Sequence, residues 1–205
     1  SGIREVGQAA YGLLPVDSGE VSLPTHNVSI GNPYQALQNR VAYVPKDRDG
    51  EALMMGASIQ NNFCLPSVET LKGRFGFLSP KKLYQASSKA REQFSVKSTG
   101  VDQLMRALSG GNKQKVNLGR WLIKDLDVLI VDCPTRGVDI GVKAYIYQCL
   151  REAKEKGMAI LLITDELSEV LGMADTIAVM KDGEICKLLP RSAELSEETI
   201  IEVMT

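Results

Sequence analysis

Apolar positions recur along this chain with two periods, and the switches between them outline its elements. Ile3, Val6, Ala10 and Leu14 form one stripe at helical spacing, which predicts a helix over about residues 3–12. Pro15 to Glu20 is turn chemistry, and Val21-Ser22-Leu23 and His26-Asn27-Val28 are short strand candidates. Pro33 to Asn39 reads as a short helix leading into the strand Val41-Ala42-Tyr43-Val44. Beyond the charged loop Pro45 to Gly50 the pattern loosens. Ser58 to Phe63 suggests a helix start, and Ser79-Pro80 places an N-cap and a first-turn proline before a long polar helix, Lys81 to Val96. Its expected apolar contacts are Leu83, Tyr84, Ala90 and Phe94.

The second half is more regular. A helix runs from Asn112 to about Ile123, and then strand, helix and strand alternate over 127–132, 141–156 and 159–164. Val128 to Val131 and Ala159 to Ile163 are continuous apolar runs, the mark of parallel strands covered on both faces. Ile177 to Met180 and Glu184 to Cys186, joined through Asp182-Gly183, predict a hairpin, and Ser196 to Met204 a terminal helix. The alternation implies an α/β fold with parallel strands in its core sheet.

Composition narrows the classes of function. The chain has 205 residues, 44% of them hydrophobic, enough for a sizeable core with a subdomain. A net charge of −1 and a pI near 5.9 give no electrostatic footprint for nucleic acid. No apolar run is long enough to span a membrane, and Ser1 to Glu5 does not resemble a signal peptide. Cys64, Cys133, Cys149 and Cys186 lack metal-ligand spacing, and His26 is the single histidine, so scattered reduced thiols in a cytosolic protein are expected.

Candidate chemistry concentrates at Leu108-Ser109-Gly110-Gly111-Asn112. Ser109 is placed to cap the following helix, and the two glycines leave its first N–H groups approachable. A helix N-terminus presents unpaired donors and the positive end of the helix dipole, a setting for phosphate. About twenty residues on, the strand Val128 to Val131 ends in Asp132, followed by Cys133-Pro134-Thr135-Arg136-Gly137-Val138-Asp139. This combination resembles the ATP-binding domains of ABC transporters, with their LSGGQ signature, Walker B strand and D-loop. The LSGGN form and the Arg-Gly-Val-Asp wording resemble the second ATPase half of bacterial sugar and nucleoside importers.

The resemblance implies a P-loop NTPase fold of ABC type. Its core would be about 1–57 and 120–190, its helical subdomain about 58–119 and its terminal helix 191–205. It also implies ATP and Mg²⁺ as cofactors, with Asp132 as the magnesium carboxylate. Several expected nucleotide-side groups are altered. If Ser1-Gly2 ends a phosphate loop, Ile3 stands at its lysine and Arg4 at its hydroxyl; the alternative is an N-terminal helix with no phosphate role. Lys46 stands at the Q-loop glutamine or is an ordinary solvated lysine. Cys133 replaces the Walker B glutamate, and a thiol is no carboxylate base. A nucleophilic role for Cys133 lacks a histidine to activate it, so a small residue filling a dead site is the better reading. Asp165 replaces the histidine that meets the γ-phosphate; the alternative is that Thr164 or Asp165 simply caps the next helix.

No catalytic residue is therefore assigned within this chain. Ser109, Gly110, Gly111, Asn112 and Asp139 are expected to act in trans, on ATP held by the intact P-loop of a second ABC ATPase domain. Membrane permease subunits would be the further partners, on the inner face of the cell membrane. The alternative is a non-catalytic regulatory module on an ABC scaffold; a ribosome- or DNA-directed ABC protein fits the near-neutral charge less well. The core is expected to lack the P-loop strand, leaving a slot that another segment or a second copy fills.

Overall fold

The computed structural model describes residues 2–23, 26–192 and 195–204; Ser1, half of the supposed phosphate-loop tail, lies outside them. The elements follow the order α1 (Ile3–Ala10), β1 (Ser22–Leu23), β2 (Val28–Ser29), α2 (Pro33–Gln38), β3 (Val41–Val44), α3 (Ile59–Cys64), α4 (Val68–Leu71), α5 (Pro80–Gln93) and α6 (Gly110–Leu122). They continue with β4 (Val128–Asp132), α7 (Ile140–Glu155), β5 (Ala159–Ile163), α8 (Leu167–Met173), β6 (Thr176–Lys181), β7 (Glu184–Pro190) and α9 (Glu197–Met204). The chain divides into two compact units. One comprises the residues up to Tyr43, Asp127–Cys133 and everything from Leu150; the other comprises Val44–Leu126 and Pro134–Cys149.

In the first unit β4 is the middle strand of a three-stranded sheet, β3-β4-β5. It runs parallel to β5, with Val128 opposite Ala159 and Asp132 opposite Ile163. α1 lies on this sheet, and Tyr11, Ile30, Val41, Tyr43, Ile130 and Ile163 form the core beneath it, with Tyr11 stacked on Tyr43 at 5.7 Å. A second cluster of Ile177, Val179, Leu189 and Ile200 joins the antiparallel β6–β7 hairpin to α9. The hairpin turns on Asp182 and Gly183, both at positive φ, the backbone of a tight two-residue turn. His26 bonds the carboxylate of Asp127 at 2.5 Å and Arg40 pairs with its other oxygen at 2.9 Å, contacts between residues distant in sequence.

The second unit is largely helical. Phe63 of α3 stacks on Phe94 at 6.4 Å, and Gly119 of α6 fits against both rings: a Cβ there would lie 2.7 Å from Phe94 Cδ2 and 3.1 Å from Phe63 Cε1. Ile59, Met105, Val116 and Leu118 are buried in the same unit. Among the described residues no helix is long and apolar enough to cross a membrane.

Some local expectations change. α6 begins at Gly110 rather than Asn112, so both glycines lie in its first turn. Tyr84 is 55% exposed. The inward stripe of α5 runs through Ser87 and Ala90 towards Phe94, and Ser87 satisfies its hydroxyl on the Leu83 carbonyl at 2.8 Å. Ser79 precedes α5 without a side-chain cap bond. β4 is covered as expected, but β5 exposes Ala159 and Leu161. On the face shared by 159, 161 and 163 only Ile163 is buried, and Gly7 of α1 packs against it. β5 is the last strand of its sheet among the described residues.

Candidate functional site

The residues singled out from the sequence gather into two groups, one in each unit. The first is built on the end of β4. Asp132 is 1% exposed, and a buried carboxylate needs donors and a counter-charge. Tyr43 donates its phenol to Oδ2 at 3.3 Å, and the guanidinium of Arg4 pairs with the same oxygen at 3.5 Å. Burial, and then the charge of Asp132, pushes the Tyr43 phenol up to about 12, so it remains a protonated donor at ordinary pH.

The placement of Arg4 follows from the geometry of α1. Gly2 precedes the helix at φ 78°, in the left-handed region that glycine tolerates. Gly7 then lets the helix approach the sheet closely: a Cβ there would lie 2.3 Å from Ile163 Cδ1, 3.4 Å from Ile130 Cγ2 and 3.5 Å from Tyr43 Cε2. Arg4 stands one turn before Gly7 on the same face, which aims it at the strand ends. Ile3 packs against the core cluster around Tyr43.

Cys133 follows Asp132 at φ 45°, with its N–H donated to the Ile163 carbonyl at 2.8 Å. Its buried thiol lies 3.9 Å from Oδ1 of the exposed Asp165. Thr164, rather than Asp165, accepts the N–H of Glu166, at 3.1 Å, where the chain enters α8. Magnesium takes oxygen ligands in near-octahedral geometry. Against Asp132 Oδ2 stand a guanidinium and a phenol, and Arg4 already holds positive charge there. This donor set does not fit Mg²⁺. Among the described residues, no group of three or more His, Cys, Asp or Glu is arranged to hold a metal ion.

The second group surrounds the start of α6. Ser109 is the N-cap; its exposed hydroxyl accepts the Asn112 N–H at 3.4 Å and the Asn112 side-chain amide at 2.9 Å. Asn112 in turn accepts the Lys97 N–H at 2.8 Å, tying the cap to the segment after α5. The N–H groups of Gly110 and Gly111 have no acceptor within the helix, and the dipole makes this end positive.

Both glycines sit close to neighbouring side chains, and packing demands glycine at 111. A Cβ on Gly110 would lie 3.0 Å from Arg48 Nη2, and one on Gly111 would lie 2.7 Å from Val142 Cγ2. Asp139 accepts the Val142 N–H at 2.9 Å and so caps α7 beside Gly111. The loop leading to Asp139 is held from below and from the side. Buried Gln114 donates to the Pro134 carbonyl at 2.6 Å, and Arg48 donates to the Arg136 carbonyl at 3.2 Å. Asp49 pairs with Arg48 at 3.4 Å and with Lys113 at 2.8 Å. An open helix N-terminus, a capping serine and nearby basic side chains suit a phosphate group.

Three contributors escaped the sequence reading: Tyr43, Arg48 and Gln114. Gln114 lies one turn beyond Gly110 on the same helix face, and that spacing was available as a signal. Tyr43 sat inside an apolar strand and Arg48 inside a charged loop, where neither stood out. Lys46 is half-buried just after β3.

Comparison with known proteins agrees with this architecture. The family model described as "ABC transporter" matches residues 7–136. The ribose import ATP-binding protein RbsA of Lactococcus lactis subsp. lactis is 37% identical over 205 residues, covering 100% of this chain and 41% of that protein. A putative ribose/galactose/methyl galactoside import ATP-binding protein of Agrobacterium fabrum is 38% identical, covering 100% of this chain and 41% of its own length. The chain thus spans about two-fifths of these curated relatives. Among solved structures, a nucleotide-free ATP-binding cassette from an ABC transporter superposes with a TM-score of 0.79 at 22% identity, covering 99% of this chain and 83% of that one. A dimeric ATP-binding cassette in a post-hydrolysis state with ADP and Pi gives 0.78 at 18% identity, covering 92% and 80%. At such identities these likenesses speak for the fold alone. Fold, signature and sequence relatives converge, and the chain belongs to the ABC transporter family as an ATP-binding domain.

Proposed function

We propose that this chain is the degenerate second ATPase half of a bacterial sugar importer, and that it contributes its signature to ATP bound by another domain. Support for the sugar importer comes from relatives named for ribose and galactose import. One observation carries the division of labour. Ser109, the exposed cap at the start of α6, is braced by the Asn112 side chain, whereas Asp132 is buried and already paired with Arg4. In this reading Ser109 and the N–H groups of Gly110 and Gly111 hold phosphate oxygens presented by the partner's P-loop, and Asp139 orders the adjoining loop. ATP supplies the phosphoanhydride whose cleavage drives transport. Cys133 and Asp165 take no part in it. The permease contacts and the peripheral position on the cytoplasmic side of the membrane belong to the same proposal.

The test uses the assembled importer complex. Loss of a single group that stabilises a transition state typically lowers the rate by about 10² to 10³. Ser109→Arg, which also fills the phosphate approach, is expected to lower ATPase activity at least that far. Cys133→Glu should leave it within about twofold, because one restored carboxylate does not rebuild a site that acts as a unit. Normal turnover with Ser109→Arg would sink the proposal. Nucleotide-independent association with the intact ATPase partner would instead favour the purely regulatory module.

A further inference from the structure

Asp132 ends the middle strand in a position where a bare carboxylate would be untenable. It is 1% exposed, and leaving an unpaired charge at such depth is strongly destabilising. The counter-charge comes from inside the chain. Arg4 Nε lies 3.5 Å from Oδ2, and Tyr43 donates to the same oxygen at 3.3 Å. The Arg4 side chain keeps 38% of its surface exposed, but its backbone is not free to move away. Its helix is pressed onto Ile163, Ile130 and Tyr43 through Gly7, one turn away on the same face, so its backbone is held against the sheet. The next residue along, Cys133, carries a thiol, which is no hard oxygen donor, and turns it towards Asp165 Oδ1 at 3.9 Å.

We propose that the Arg4 guanidinium is a resident cation at this site, standing permanently where Asp132 would otherwise take up a divalent metal. The proposal rests on reading Asp132 as the Walker B carboxylate, but not on the signature acting in trans. Three consequences follow from elementary electrostatics. Asp132 is neutralised whether or not divalent ions are present. A second cation at Oδ2 meets repulsion from Arg4. Finally, β4, α1 and Tyr43 gain stability from a pair that chelators cannot remove. What serves elsewhere as a ligand-dependent contact is here a fixed structural one, and this half of the fold is independent of magnesium.

The experiment uses the intact protein without nucleotide. Mn²⁺ is titrated while the amide signals of Asp132 and Cys133 are followed by NMR, and bound Mn²⁺ is counted by electron paramagnetic resonance in wild type and Asp132→Asn. The expected result is no site-specific broadening at Asp132 and Cys133, and the same Mn²⁺ stoichiometry in both proteins. Saturable broadening there, or one Mn²⁺ equivalent lost with Asp132→Asn, would overturn the proposal. The wild-type broadening reports even if the variant does not fold. Thermal unfolding supplies a second readout. Arg4→Met should lower Tm by about 5 °C in EDTA and in excess Mg²⁺ alike. Arg4→Lys should recover part of that loss. An unchanged Tm in Arg4→Met would also overturn it. None of these outcomes bears on Ser109, so failure here leaves the signature proposal standing.

Discussion

The two groups of residues use similar materials to opposite ends. Each has a carboxylate, an arginine and a glycine that lets a helix approach its neighbour. Around Asp132 these close inward: Arg4 and Tyr43 both engage Oδ2, and Gly7 brings α1 down onto the sheet. Around α6 they brace from behind and leave the front open. Arg48 holds the Arg136 carbonyl, Asp139 caps α7, Gly111 lets α6 meet Val142, and Ser109 stays exposed. Burial of the charged group accounts for the contrast. A carboxylate in the interior must be satisfied by the chain itself, whereas a helix N-terminus at the surface can hold its donors in reserve for a ligand. Residue type alone does not mark a working site; whether its polar atoms are already committed does.

The sharpest way to break this contrast is the pair of substitutions in the assembled complex. A fall of at least about 10²-fold with Ser109→Arg against about twofold or less with Cys133→Glu separates the halves by a wide margin. Equal effects in the two variants would erase the distinction.

The paired glycines sharpen it further. Gly7→Ala places a methyl 2.3 Å from Ile163 Cδ1, and Gly111→Ala places one 2.7 Å from Val142 Cγ2. Val142 is β-branched within a helix and has little rotamer freedom to yield. Overpacking of this kind costs about 1–3 kcal/mol, partly offset by the helix propensity of alanine. Both variants should therefore lose stability by a similar amount, about 1–2 kcal/mol in urea titrations. Only Gly111→Ala is expected to lower the ATPase activity of the complex several-fold, since it moves the start of α6. A comparable loss of activity with Gly7→Ala would show that the Asp132 group still contributes to turnover.

What could be read from the sequence was what depends on near neighbours. Ser109 was legible as a cap because the cap and its partner Asn112 lie three residues apart. β4 was legible from an unbroken apolar run, and the β6–β7 turn from Asp182-Gly183. The state of each site was harder to see, because it depends on distant pairs. Tyr43 reaches Asp132 across 89 residues and Arg48 reaches Arg136 across 88. Arg4 is placed by resemblance at the phosphate-loop hydroxyl, but its pairing with Asp132 depends on the packing of α1 through Gly7. The exposure of Leu161 was missed for a related reason: an apolar strand and an apolar strand with a partly uncovered face look the same in one dimension.

The smallest effect isolates the inward-facing group by pH. Tyr43 is buried in the fold and its phenol is held at about 12, against an ordinary value of 10.0, by desolvation and by the charge of Asp132. Raising the pH from 10 towards 12 therefore removes the phenol proton from the unfolded chain first. The unfolded state then binds fewer protons than the native one, and stability falls through that window while being fully present below it. By pH 11 the loss from this one group is about 1 kcal/mol. Other tyrosines and lysines titrate in the same range, so the quantity to follow is the difference between wild type and Tyr43→Phe. In urea titrations between pH 8.5 and 11 that difference should shift by about 1 kcal/mol in favour of Tyr43→Phe. A difference that stays constant with pH would mean that Tyr43 is neither desolvated nor faced by the Asp132 charge, and with it the inward closure of this half would lose one of its two donors.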